Sequence, residues 1–156
     1  MTVETKSICC AVMMLVILAP ISSCNHEMSP VCKDFYDLPG KERETEFPKY
    51  DVNKQLDIYV CAMRRKPPIS TWAYDIAKGG ENKMPVVLKR LREEQDPVMQ
   101  YHLIHLLQIM SEESYFRGRR DVVEEVREVI SRMGYSPAKT QAQEAFSEIE
   151  RNAMSN

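Results

Sequence analysis

The chain predicts an all-α protein, on three observations. From Asp51 onward apolar residues recur at spacings of three and four, one face of a 3.6-residue turn. Helix-start chemistry recurs with them: Asp51, Asp96 ahead of Pro97 and Ser136 ahead of Pro137 each set a capping oxygen before an apolar run. No segment shows the strict alternation or the Gly-Asn turns of a β-hairpin.

The elements follow in order. Asp51 caps a helix whose inner face is Val52, Leu56, Tyr59, Val60 and Met63, and Pro67 and Pro68 stop it. In "ISTWAYDIAKGG", Ile69, Trp72, Ala73, Ile76 and Ala77 share a stripe, and the Gly79-Gly80 exit suits a left-handed cap. "NKMPVVLKRLREE" offers Asn82 as cap and Pro85 in the first turn, with Val87, Leu88 and Leu91 facing inward. "DPVMQYHLIHLLQIM" opens on Asp96-Pro97 and buries Met99, Leu103, Leu106, Leu107 and Met110. "DVVEEVREVISRMG" runs from Asp121 to Gly134 with Val123, Val126, Ile130 and Met133 inside. Ser136 and Pro137 start a last helix that presents Ala142, Ala145, Phe146 and Ile149.

These segments look alike in pairs, and the segment around Val126 repeats the one around Leu88. The pattern is similar to HEAT repeats, in which antiparallel helix pairs of about 40 residues stack side by side. That resemblance pairs Trp72–Lys78 with Met84–Glu94 and Pro97–Glu112 with Asp121–Met133, and leaves Pro137–Arg151 as a closing helix. The usual valine-arginine after Asp-Pro is here Val98-Met99, and a compact helical bundle satisfies the same apolar spacing.

Composition bounds the function. At 156 residues, 44% hydrophobic and 28% charged, the chain has material for one domain with a core. A formal net charge of -2 argues against a general nucleic-acid binder, which needs clustered excess Lys and Arg to neutralise phosphates.

The first residues carry an address. Twelve apolar residues run from Ile8 to Ala19, too few for a spanning helix of about 20 residues but within the roughly 7 to 15 of a secretory signal. Ile21-Ser22-Ser23-Cys24 then sets two small residues before a cysteine, and this resembles the lipobox of bacterial lipoproteins. Ile21 stands where leucine is usual and Ser23 where glycine or alanine is usual. The resemblance implies that residues 1–23 are a signal peptide and that Cys24 becomes the lipid-bearing first residue. Each buried methylene contributes about 0.8 kcal/mol, so several acyl chains hold the protein at a membrane in the cell envelope, facing the periplasm or the exterior.

Export changes how Cys32 and Cys61 read, because thiols outside the cytosol tend to oxidise. Paired, they close a loop that contributes about 3.5 kcal/mol in the chain-entropy model; unpaired, Cys61 in "LDIYVCAM" is a small buried hydrophobe. Residues 24–50 hold Pro30, Pro39, Gly40, Pro48 and the charge cluster "GKERETE", and are expected to form a tether with little regular structure beyond a short helix near Lys41–Glu46. Residues 51–152 form the helical domain.

Catalysis needs converging groups, and the sequence displays no GxSxG, phosphate-binding glycine loop or activated Cys-His pair. His102 and His105 lie three apart on one helix, the basis of a weaker alternative in which a small bundle binds a ligand or metal or acts as an enzyme; no HExxH pattern accompanies them. Numerous Glu residues fall at helix ends and polar faces, where charge pairing explains them. "SYFRGRRD" sets Tyr115 and Phe116 beside Arg117, Arg119 and Arg120, the residue types enriched where partners bind. With Trp72 they are the candidate contact residues. The competing expectation folds the aromatics onto the core and pairs the arginines with Glu112, Glu113 and Glu124. The function expected is therefore a non-catalytic, membrane-anchored binding or scaffold module without cofactor, its partners the membrane and another envelope protein.

Overall fold

The computed structural model describes residues 29–65 and 68–155. Its α-helices are α1 (Pro30–Asp37), α2 (Gly40–Glu46), α3 (Val52–Arg64), α4 (Thr71–Ala77), α5 (Met84–Glu93), α6 (Pro97–Ser111), α7 (Arg120–Arg132) and α8 (Pro137–Met154); there is no strand among the described residues. None of these helices is long and apolar enough to cross a membrane.

The caps act as their chemistry requires. The Asp51 carboxylate accepts from the Asn53 and Lys54 amides at 3.0 and 3.1 Å, Asp96 from Val98 at 2.9 Å, and the Ser136 hydroxyl from Lys139 at 3.2 Å, satisfying amides that a first turn leaves free. Two starts differ from expectation. Asn82 lies inside a 3-10 turn, Glu81–Lys83, and α5 opens after it at Met84. α7 opens at Arg120, which puts Asp121 in the first turn, where a carboxylate meets the positive end of the helix dipole.

The helices alternate between two layers. In one, α1 packs on α3, α3 on α5 and α5 on α7; in the other, α4 packs on α6 and α6 on α8. Across the layers the close pairs are α3 with α4, α5 with α6 and α7 with α8. Pairing therefore starts one helix earlier than the sequence suggests. For two of the three pairs the links accord with it: Glu94–Asp96 and Met133–Ser136 are short and fold α6 back on α5 and α8 back on α7, whereas 3-10 turns lie in the links after α4 and α6. Within the second layer α6 and α8 run parallel, since Gln108 donates to Glu148 and Asn152 donates to Ser111 at 2.8 Å, contacts that advance together along both helices.

The core is continuous from Phe35 to Ala153. α6 is its centre, with Met99, Leu103, Ile104, Leu106, Leu107, Ile109 and Met110 all buried. The expected tether is corrected over residues 30–50, which form α1, α2 and a 3-10 turn, Phe47–Lys49. Phe35 and Phe47 are buried, and their rings close on Trp72 at 5.4 and 4.6 Å between centroids. Charged neighbours hide this segment's few aromatics from a local reading, yet the aromatics converge on one indole. Buried Gln55 fastens the segment further, donating to the carbonyls of Phe47 and Tyr50 at 3.1 and 3.0 Å and accepting from Lys83 at 2.8 Å. Burial lowers the Lys83 pKa, with Asp75 opposing.

Candidate functional site

The outer surfaces of the two layers differ in chemistry. On the α3–α5–α7 side, charges answer one another: Arg90 meets Asp57 at 3.2 Å, Arg92 meets Glu125, and Arg127 meets Glu124 and Glu150, each at 2.6 Å. A shallow hollow of about 640 Å³ there is lined by Arg92, Arg127, Glu124, Glu125, Glu128 and Ser131. Such a surface is saturated with its own counter-charges.

On the other side, α6 is engulfed except for one strip. Exposed Val98, half-buried Tyr101, His105 and Gln108, and exposed Glu112 follow at spacings of three and four, one helical line. Tyr74, 58% exposed, projects from α4, the neighbouring helix of this layer. The Tyr101 ring stacks on His105 at 6.2 Å and tilts against His102 at 4.9 Å. Because the Gln108 amide nitrogen must face the Glu148 carboxylate, its oxygen faces His105 Nδ1 at 3.0 Å. That assigns a proton to Nδ1. The strip offers a tyrosine ring, an aliphatic side chain and an imidazole, groups that grip a partner by area and by hydrogen bonds.

His102 sits on the inner edge of this strip. Its Nδ1 is buried with no hydrogen-bond partner among the described residues, while its carbonyl accepts from the buried Tyr59 hydroxyl at 3.0 Å. Burial lowers the imidazole pKa, the neighbouring His105 lowers it further, and Asp96 opposes them. Among the described residues no three His, Cys, Asp or Glu side chains come together as a metal site would require.

The arginine-rich loop folds inward. Phe116 is fully buried, Tyr115 is half-buried with its hydroxyl 3.5 Å from the Ala77 carbonyl, and Trp72 is 8% exposed. Trp72 and Phe116 are thus corrected from contact residues to core residues, since a ring flanked by cations still finds more apolar area beneath it than in water. Arg119 pairs with Asp121 and Glu81, at 2.7 and 3.7 Å, rather than with the glutamates the sequence suggested. The hydrogen bond between them raises the Arg119 pKa and lowers that of Asp121. Arg117 and Arg120 are exposed and border a hollow of about 490 Å³ with Ala153, Met154 and Ser155, at the carbonyl end of α8 where cations are favoured. Gly118, at φ +76°, donates its amide to the Ala153 carbonyl at 2.9 Å and ties the loop there.

Cys24 lies outside the described residues. Cys32 and Cys61 are joined as a disulfide between α1 and α3, Cα to Cα 6.3 Å. Sequence reasoning missed Tyr74, Val98 and Tyr101. α6 is apolar nearly all round, so its one exposed line gives little contrast, although its spacing of three and four was present in the sequence.

No protein-family model matches the chain, and no curated protein and no solved structure shows significant similarity to it.

Proposed function

We propose that the protein is a lipid-anchored, non-catalytic binding module of a bacterial cell envelope, which holds another envelope protein against the α6 strip of Val98, Tyr101 and His105. The observation that carries the binding reading is the contrast between the two layers: one surface neutralises its own charges, and the other leaves aromatic and imidazole groups facing outward. Supporting the address are the lipobox-like Ile21–Cys24 segment and the Cys32–Cys61 disulfide, a bond that persists in oxidising compartments. Stacked helices supply an extended rigid surface for such work without any chemistry.

Two experiments test the two halves. Metabolic labelling with a fatty acid should mark the wild-type chain and leave Cys24→Ala unlabelled; label on the variant overturns the anchor. A photo-crosslinking amino acid at Tyr101 should capture a discrete envelope protein, while the same group at Glu128 on the ion-paired face should not. Equal capture at both positions, or none at Tyr101, overturns the binding face.

A further inference from the structure

We infer that the α1 end of the helix stack is its membrane-proximal end, resting near the lipid headgroups, and that the stack does not stand with its α7–α8 end on the bilayer and α1 outermost. The inference rests on the lipid-anchored reading, with acyl chains on Cys24.

The reach of the chain carries it. α1 opens at Pro30, six residues after Cys24. Whatever its conformation, a segment of that length spans at most about 20 Å, at roughly 3.3 to 3.6 Å per residue. α1, α3, α5 and α7 lie side by side in one layer, and packed helices stand about 8 to 10 Å apart, so in a straight row α7 is about 24 to 30 Å from α1. Laying α7 on the headgroups with α1 outermost would demand a span of that size plus the roughly 5 Å radius of a helix. The leash is too short to allow it.

Two features fix α1 as a rigid attachment point rather than a segment that could peel off to lengthen the leash. The disulfide from Cys32 bonds it to α3, and Phe35 is buried against Phe47, Tyr50 and Trp72. Surface charge near α1 does not decide the orientation. Exposed Lys33, Lys41, Arg64 and Arg65 are balanced by exposed Asp34, Asp37, Glu42 and Glu44, so no strong attraction to anionic lipid competes with the geometry. The surface left to an aqueous partner is accordingly the α6–α8 part of the stack, and the partner must itself work close to the membrane.

The test uses the full chain, processed in bacteria, with a fluorescent amino acid in place of Lys33 on α1 or Glu128 on α7. Energy transfer to headgroup-labelled phosphatidylethanolamine in the recovered membranes should be several-fold stronger from position 33. A flexible insert of about 20 Gly and Ser residues between Met28 and Ser29, adding a mean reach of about 25 Å, should flatten that difference. Equal or reversed transfer in the uninserted chain overturns the orientation, and a difference that survives the insert overturns the leash as its cause. Fatty-acid uptake by the same preparation separates the two ideas: an unlabelled chain brings down the anchor and the orientation together, whereas a labelled chain with reversed transfer brings down the orientation alone.

Discussion

The Trp72 indole lies on the Phe47 ring with centroids 4.6 Å apart and planes 27° from parallel, and Phe35 meets the same indole edge-on. This contact joins a segment rich in charge and proline to the helical stack. Truncating a buried aromatic costs about 3 to 5 kcal/mol, so Phe47→Ala should lower the urea midpoint of the whole domain in one cooperative transition. A dispensable tether would leave the midpoint unchanged. In a double-mutant cycle with Trp72→Ala, the pair should show a coupling of about 0.5 to 1.5 kcal/mol.

Cys32 and Cys61 are 29 residues apart in sequence. Closing a loop of that size contributes about 3 to 4 kcal/mol. The double variant Cys32→Ser, Cys61→Ser should lose that stability in urea titrations. Reductant should bring the wild type down to the same midpoint and leave the variant unmoved.

His102 predicts a pH dependence. Its folded pKa is depressed by burial and by His105, so between that value and about 6.5 the unfolded chain binds the extra proton. Stability therefore holds above about pH 6.5 and is lost as pH falls toward the folded pKa. Urea midpoints measured from pH 7.5 down to pH 5 should decline, and His102→Leu should flatten the decline.

Two glycines should respond differently to alanine. Gly118 stands at φ +76°, where a Cβ is strained, and its amide anchors the loop to α8. Gly118→Ala should cost about 1 kcal/mol or more. Gly134 has no neighbour within 4 Å of a built Cβ and no positive φ, so Gly134→Ala should be neutral or stabilising by up to about 1 kcal/mol. Thermal melts of both variants check the contrast.

Much of the fold was legible because helix signals are local. Asp51, Asp96 and Ser136 announce their helices through the very oxygens that accept the first amides, and the inner stripe of α6 is buried residue for residue. What escaped was set by contacts distant in sequence. Phe35 and Phe47 look solvated until Trp72 is brought beside them. The pairing of α5 with α6 depends on a three-residue link, Glu94–Asp96, which carries no mark of direction. The candidate face was hardest to see, because Tyr101 and His105 differ from their buried neighbours only in the side of α6 they occupy.

The disulfide also closes a covalent ring around the exposed lysines Lys41 and Lys49, which lie between Cys32 and Cys61. A protease that severs the backbone after either lysine would leave both fragments bound through sulfur. On a gel run without thiol the severed molecule would migrate as though whole, and only reductant would release the pieces.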